Sequence, residues 1–201
     1  MFTHDIYRNI RVRVIIVRQG KIVLGAPCPD RIGRDAYRGL PGGGLEPNET
    51  LYEAGEREVR EETGLKVKVT SVAFLREWVV PKHCPVEQMR EWFEALGFSK
   101  EETHRSDHGY GLEVYLWAEV PSGADTEPMP GDRSGAAAEW VAFEQVAHEP
   151  VFPIELKALA RDLAEGRAAV GVPVFATGFE SPWKEPDWEA FRRVQDSRPH
   201  P

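Results

Sequence analysis

Cysteine is scarce in this 201-residue chain: Cys28 and Cys84 are the only two, and no C-x-x-C pair occurs. That excludes a framework of disulfides, and both are read as free thiols in loops. His83 stands beside Cys84, but two further well-spaced zinc ligands are missing. No apolar run approaches about 18 residues, and the N-terminal MFTHDIYRN lacks the charged-then-apolar layout of a signal peptide. The sequence therefore predicts a soluble cytoplasmic protein with no membrane partner. Positive charge is also short, 25 Lys and Arg against 33 Asp and Glu, for a net charge of −8. An acidic surface argues against a nucleic-acid polymer as partner, because such binding neutralises phosphates with Lys and Arg. Internal repeats and a second-domain boundary are missing too. What is present is enough for a core, 41% hydrophobic residues and six Trp, so one domain with some added length is expected.

Seven of the acids fall between Glu46 and Glu62, inside the stretch GGGLEPNETLYEAGEREVREETGL at 42–65. Thr50 followed by Glu53 has the spacing of a capping box, and Gly64 sits where a helix C′ glycine belongs. The spacing predicts a helix from Leu51 to Thr63. Leu51, Ala54 and Gly55 fall on one side of it, the side that packs on a core. Glu58, Glu61 and Glu62 share that side, while Glu53, Glu56 and Arg60 point to water. Carboxylates at i, i+3 and i+4 have Cβ atoms about 5–6 Å apart, and each like-charged pair that close costs on the order of 3 kcal/mol at an effective dielectric of about 20. Either some acids are protonated or a hard divalent cation such as Mg²⁺ or Mn²⁺ sits among them. The glycines before the helix (Gly39, Gly42, Gly43, Gly44) let backbone approach such a site closely. A solvated, Glu-rich surface helix is the competing reading of the same spacing.

Gly43, Glu49, Arg57, Glu58, Val59, Glu61, Glu62, Gly64 and Leu65 fill every defined position of the pattern G-x5-E-x7-R-E-U-x-E-E-x-G-U, with U a bulky aliphatic. The stretch 43–65 thus resembles the Nudix box, and the chain is similar to Nudix hydrolases. The resemblance implies an α/β fold, a mixed β-sheet sandwiched between helices (α/β/α), with the box as a loop–helix–loop. It implies hydrolysis of a (di)phosphate bond in a nucleoside diphosphate linked to a group X. It also implies that Glu58, Glu61 and Glu62, with the Gly43 carbonyl, hold Mg²⁺ or Mn²⁺, and that Glu49 pairs with Arg57. Glu61 is the first choice of general base and Glu58 the second.

Elsewhere the pattern is read in chain order. Ile10–Val17 and Lys21–Ala26 are predicted strands around a Gln19-Gly20 turn. Arg31, Arg34 and Arg38 lie in a polar loop, and Arg38 is the arginine chosen to grip a substrate phosphate. Residues 65–80 read as a strand ending at Pro81. Met89, Trp92, Phe93 and Leu96 follow at i, i+3, i+4 and i+7 behind Pro85, which predicts a helical insertion at about 82–108, either packed on the domain, a lid or a dimer contact. His104, Asp107 and His108 lie in its polar end, open to metal, substrate or solvent roles. Strands are predicted at 111–120 and 139–143, and a helix at 153–166 that closes a domain spanning 1–166. The tail, 167–201, interleaves proline with Trp183, Trp188 and Phe191 and is expected to dock on the domain or on a partner subunit. The resemblance allows one further acid before the last strand, with Glu127, Asp132 and Glu139 as candidates. Trp78 and Tyr110 are candidates to stack on a nucleobase.

The substrate is expected to be a small nucleotide-type molecule, ADP-ribose or a nucleotide sugar, and a homodimer is an option. A proline sixteen positions beyond the box, here Pro81, resembles ADP-ribose-cleaving members, although a strand end also explains it; the SQPW-type signature of NADH-cleaving members is missing. A nucleoside triphosphate pyrophosphohydrolase and a non-catalytic, nucleotide-binding regulatory domain are the alternatives. A related isomerase of isoprenoid diphosphates is disfavoured, because Cys84 is the only candidate for its proton chemistry.

Overall fold

In a computed structural model of the chain, the residues described are 10–25, 38–79, 110–124, 127–129, 137–153, 155–167 and 174–175. The expected insertion helix at 82–108, both cysteines, His83, His104, Asp107, His108, Pro81, Asp132 and most of the tail lie outside them. So do the side chains of Trp78 and Tyr110, although both residues belong to paired strands.

The strand β1 (Ile10–Arg18) is central, and its sequence IRVRVIIVR explains why. Alternation sends Val12, Val14 and Ile16 to one face, and the continuous apolar run then puts Ile15 on the other, so both faces need cover. Gln19 and Gly20 both have positive φ, 50° and 75°, which turns the chain tightly into β2 (Lys21–Gly25). β1 pairs in parallel with β5 (Tyr110–Glu119), from Ile10 against Leu112 to Ile16 against Ala118. β4 (Lys68–Val79) runs antiparallel to β5, and β6 (Ala138–Ala142) runs antiparallel to β2. The two-residue β8 (Val174–Phe175) lies parallel to β4. The mixed sheet has the order β6-β2-β1-β5-β4-β8, and β3 (Arg38–Gly39) and β7 (Val151–Phe152) form a small parallel pair beside it.

The helix α1 (Leu51–Thr63) covers one face, with Ala54 and Val59 packed on Val12, Val14, Ile16, Val114 and Leu116. A Cβ at Gly55 would lie 3.0 Å from Leu116 and 3.2 Å from Val14, so the missing side chain lets this helix sit close to the sheet. On the other face the short α2 (Phe143–Val146) and α3 (Glu155–Ala164) bring Phe143, Val146, Leu156 and Ala160 onto Ile15, Ile22, Leu24 and Tyr115. The sandwich of helix, mixed sheet and helix is the architecture expected from the sequence. Several strand ends differ by one to three residues, and both helix starts on this face differ. Phe143 opens α2 instead of ending β6, and its N–H donates to Gly20 O at 3.0 Å. α3 starts at Glu155 rather than 153, while Gly166 (φ 70°) follows its end as expected.

Candidate active site

α1 is fixed at both ends by its own sequence. Thr50 Oγ1 accepts from Glu53 N and Glu53 Oε2 accepts from Thr50 N, closing the capping box. Gly64, at φ 71°, donates its N–H to Arg60 O. The glycine loop is held as firmly. Val14 N donates to Pro41 O, Val12 N to Gly43 O, both at 2.9 Å, and Leu45 N to Ile10 O, so residues 41–45 run beside β1. Gly42 has φ +146°, and a Cβ there would lie 2.1 Å from Val12 O. A Cβ at Gly43 would fall 2.5–2.7 Å from the Glu58 carboxylate, so the loop and the helix acids meet at that residue.

Arg57 organises the acids. It donates from Nε to Glu49 Oε2 (3.0 Å) and from Nη2 to Glu49 Oε1 (2.7 Å), the two-point pair expected between these residues. Nη2 also reaches Gly44 O, and Nη1 reaches Glu58 Oε1 at 2.7 Å and Glu61 Oε2 at 3.3 Å. These bonds raise the guanidinium's pKa further, Glu49 contributing most. In return, the hydrogen bond from Arg57 holds the Glu49 carboxyl below its usual range. Glu62 stands apart from that hub: its Oε2 accepts from Gly42 N at 2.9 Å. Burial pushes the Glu62 carboxyl above its usual range; Glu58 and Glu61 add to this, while the Gly42 N–H and Arg13 oppose it.

One face assignment needs correcting. Glu53 and Arg60 are exposed, but Glu56 is not turned to water: it accepts from Val69 N at 3.1 Å and pairs with Lys68, tying α1 to the start of β4. The helix wheel ignores the neighbouring strand, whose first N–H groups need acceptors.

Among the described residues, no three His, Cys, Asp or Glu side chains converge as a ready-made metal cluster. The donors nonetheless fit a hard divalent cation. Glu58, Glu61 and Glu62 share one side of α1, and Arg57 divides its charge between two of them and Glu49. Burial is the main cause of the acidity lost at Glu62, and the neighbouring Glu58 and Glu61 add to it. Gly43 O accepts from Val12 N, which uses one of its two lone pairs. Carboxylate and carbonyl oxygens are the ligands Mg²⁺ and Mn²⁺ prefer.

Arg38 and Glu139, both chosen from sequence, come together. Arg38 Nη1 pairs closely with Glu139, Nε donates to Glu149 Oε2 at 2.9 Å, and its side chain is 13% exposed. A phosphate at Arg38 would compete with two carboxylates. Glu127 is exposed, two residues before Met129, whose N–H donates to Thr63 O.

Sequence reading missed a charged group inside the second core. Glu113 lies between Arg76 (Nη1 to Oε2, 3.1 Å) and Arg13 (Nε to Oε1, 3.5 Å), and Tyr115 OH donates to Glu113 Oε2 at 3.0 Å. Burial would raise the Glu113 carboxyl, but Arg13 and Arg76 outweigh it and hold the group below its usual range. Burial and Glu113 together push the Tyr115 hydroxyl well up. The available signal was an arginine and a glutamate at inward phase in two apolar strands, IRVRVIIV and GLEVYLW.

The chain is similar to known proteins in sequence and in fold. An RNA pyrophosphohydrolase of Coxiella burnetii (strain RSA 493 / Nine Mile phase I) is 36% identical over 121 residues, 52% of this chain and 50% of that protein. The nucleoside triphosphatase NudI of Enterobacter sp. (strain 638) is 41% identical over 58 residues, 29% of this chain and 41% of its own. The chain thus spans about half the length of the curated relatives it matches. Among solved structures, a NUDIX hydrolase from Nitrosomonas europaea aligns with a TM-score of 0.54 at 20% identity, over 80% of this chain and 90% of that one. The MutT protein from Bacillus halodurans aligns at 0.51 and 16% identity, over 86% and 93%; these two likenesses concern the fold. The NUDIX domain model matches residues 7–162, more than half of the chain, and the protein belongs to the NUDIX family.

Proposed function

We propose that this protein hydrolyses a diphosphate bridge in a nucleoside diphosphate linked to X, with Glu58, Glu61, Glu62 and the Gly43 carbonyl holding Mg²⁺ or Mn²⁺. The observation that carries the reading is the set of acids against the glycine loop, Glu49, Glu58 and Glu61 ordered by Arg57 and Glu62 by the Gly42 N–H. When bound, the metal supplies positive charge to the phosphate oxygens and acidifies a water. Glu61 takes the proton of the attacking water. Its side chain is 23% exposed against 7% for Glu58, so it reaches solvent more readily, and Glu58 is the second choice. The water oxygen bonds to phosphorus as the bridging P–O bond breaks, leaving two phosphate monoesters. Glu49 and Arg57 keep the acids in place. Arg38, with Glu139, and Trp78 and Tyr110 are proposed to contact the nucleotide.

ADP-ribose and nucleotide sugars lead the substrate list. The two relatives, an RNA pyrophosphohydrolase and a nucleoside triphosphatase, favour a second reading, cleavage within a polyphosphate chain. The net charge of −8 favours a small nucleotide over an RNA polymer in either case. The test is a turnover screen with Mg²⁺ and Mn²⁺ across ADP-ribose, nucleotide sugars, dinucleoside polyphosphates and nucleoside triphosphates. One class cleaved by the wild type, and orders of magnitude more slowly by Glu62→Gln, is expected. Near-wild-type turnover by Glu62→Gln overturns the assignment, and tight nucleotide binding without cleavage points to a regulatory domain.

A further inference from the structure

The Arg13–Glu113–Arg76 group is an expensive thing to keep in a core, since apolar residues of similar volume would usually serve stability as well or better. Its contacts lead in one direction. Arg76 and Glu113 have side chains 4% and 7% exposed, whereas Arg13 is 23% exposed and reaches out to the glycine loop. Arg13 Nη1 donates to Gly42 O at 2.8 Å, and the N–H of the same glycine donates to Glu62 Oε2 at 2.9 Å. The flanking carbonyls of Pro41 and Gly43 are held by β1 backbone, so Arg13 and Glu62 supply the two bonds at Gly42 itself. Gly42 has φ +146°, a conformation that only glycine adopts readily, and its two peptides are held differently: Val14 N and Glu62 hold the one before it, while Arg13 holds its own carbonyl.

We infer that Arg13 is a positioning residue for the Glu62 carboxylate: anchored by Glu113, it clamps the Gly42 carbonyl, fixes the backbone turn at that residue and thereby sets the acid's place among the metal-binding group. The inference rests on the proposed hydrolase reading for its metal. Arginine is required because one planar group must meet Gly42 O and Glu113 together, which a lysine ammonium on a flexible stem does poorly. The charge alone gives the opposite expectation, since removing a cation near the site would tighten cation binding.

The experiment uses the full chain with Arg13→Gln and Arg13→Lys, after thermal unfolding has shown that each is folded at the working temperature. The first readout, in metal-free protein, is amide exchange of Gly42 by NMR; the second is Mn²⁺ affinity by electron paramagnetic resonance. Both variants are expected to lose protection at Gly42 and to bind Mn²⁺ about tenfold more weakly. Mn²⁺ binding that is tighter or unchanged in Arg13→Gln, or unchanged in Arg13→Lys, overturns the clamp. Arg13→Lys keeps charge and most of the volume, so it decides the matter if Arg13→Gln does not fold. A wild type that binds no Mn²⁺ fails the metal reading, and Gly42 exchange then decides the clamp alone: loss of protection in the variants upholds it and wild-type protection overturns it.

Discussion

Replacing Glu113 with Gln keeps its shape and one acceptor oxygen, removes the charge between Arg13 and Arg76, and turns the other oxygen into an NH2 donor. Breaking a buried pair from one side costs about 3–5 kcal/mol, because the partner charge is left uncompensated. Arg76, 4% exposed, keeps Glu155 at 3.7 Å, and Arg13, 23% exposed, can rehydrate, which puts the cost near the lower end, about 3 kcal/mol. For a chain of this size that is a fall in Tm of roughly 6–12 °C. The pH dependence has a definite sign. Glu113 is held below its usual value of 4.5 by Arg13 and Arg76, despite burial. A carboxyl with a lowered folded pKa adds stability that is fully present above the unfolded value and is lost as pH falls through the folded one. The wild type suffers that loss and Glu113→Gln does not, so the gap between them is flat from about pH 7 to about pH 5 and narrows in more acid solution. Urea unfolding followed by tryptophan fluorescence across that range measures it. A gap under about 1 kcal/mol at neutral pH, or one that stays constant into acid, refutes the reasoning.

Three further experiments probe the helix and loop. A double-mutant cycle of Arg57→Met with Glu49→Gln is expected to give a coupling of about 1.5–3 kcal/mol in unfolding free energy, because the pair is two-point and largely shielded; a value near zero contradicts the hub. Gly43→Ala places a methyl 2.5–2.7 Å from the flexible end of Glu58, so it is expected to keep the wild-type Tm within a few degrees while lowering turnover at least about tenfold. Gly42→Ala meets backbone at 2.1 Å in a positive-φ conformation and is expected to lose several kcal/mol or fail to fold, as circular dichroism would show.

The residues that were legible are those whose partners are near in sequence. Thr50 and Glu53 cap α1 from three positions apart, Gly64 closes it, and Gln19-Gly20 turns β1 into β2. Those devices act through local geometry, which spacing reports. The carboxylate partners of Arg38 were not legible, because Glu139 and Glu149 lie 101 and 111 positions away and no local pattern announces them. Glu56 was sent to water for the same reason, its acceptor role depending on a strand that begins twelve residues later. In β1 the alternation put Arg13 in phase with the core, but only the register with β5 shows the glutamate that makes such a position tolerable.

That division has a consequence for the site. Arg57 holds Glu58 and Glu61 from within the helix, over one to four positions, and reaches Gly44 over thirteen. Glu62 takes its bond from Gly42, which is steadied by an arginine on the opposite side, and that arginine is steadied by a glutamate a hundred residues further on. The motif therefore specifies one half of the acid cluster by itself, whereas the other half exists only once β1 and β5 have paired. Mutations in the helix should disturb Glu58 and Glu61 whatever the state of the sheet. Mutations in the sheet core should reach the chemistry through Glu62, which makes metal affinity of sheet variants a sensitive report on whether the two halves are joined as the geometry indicates.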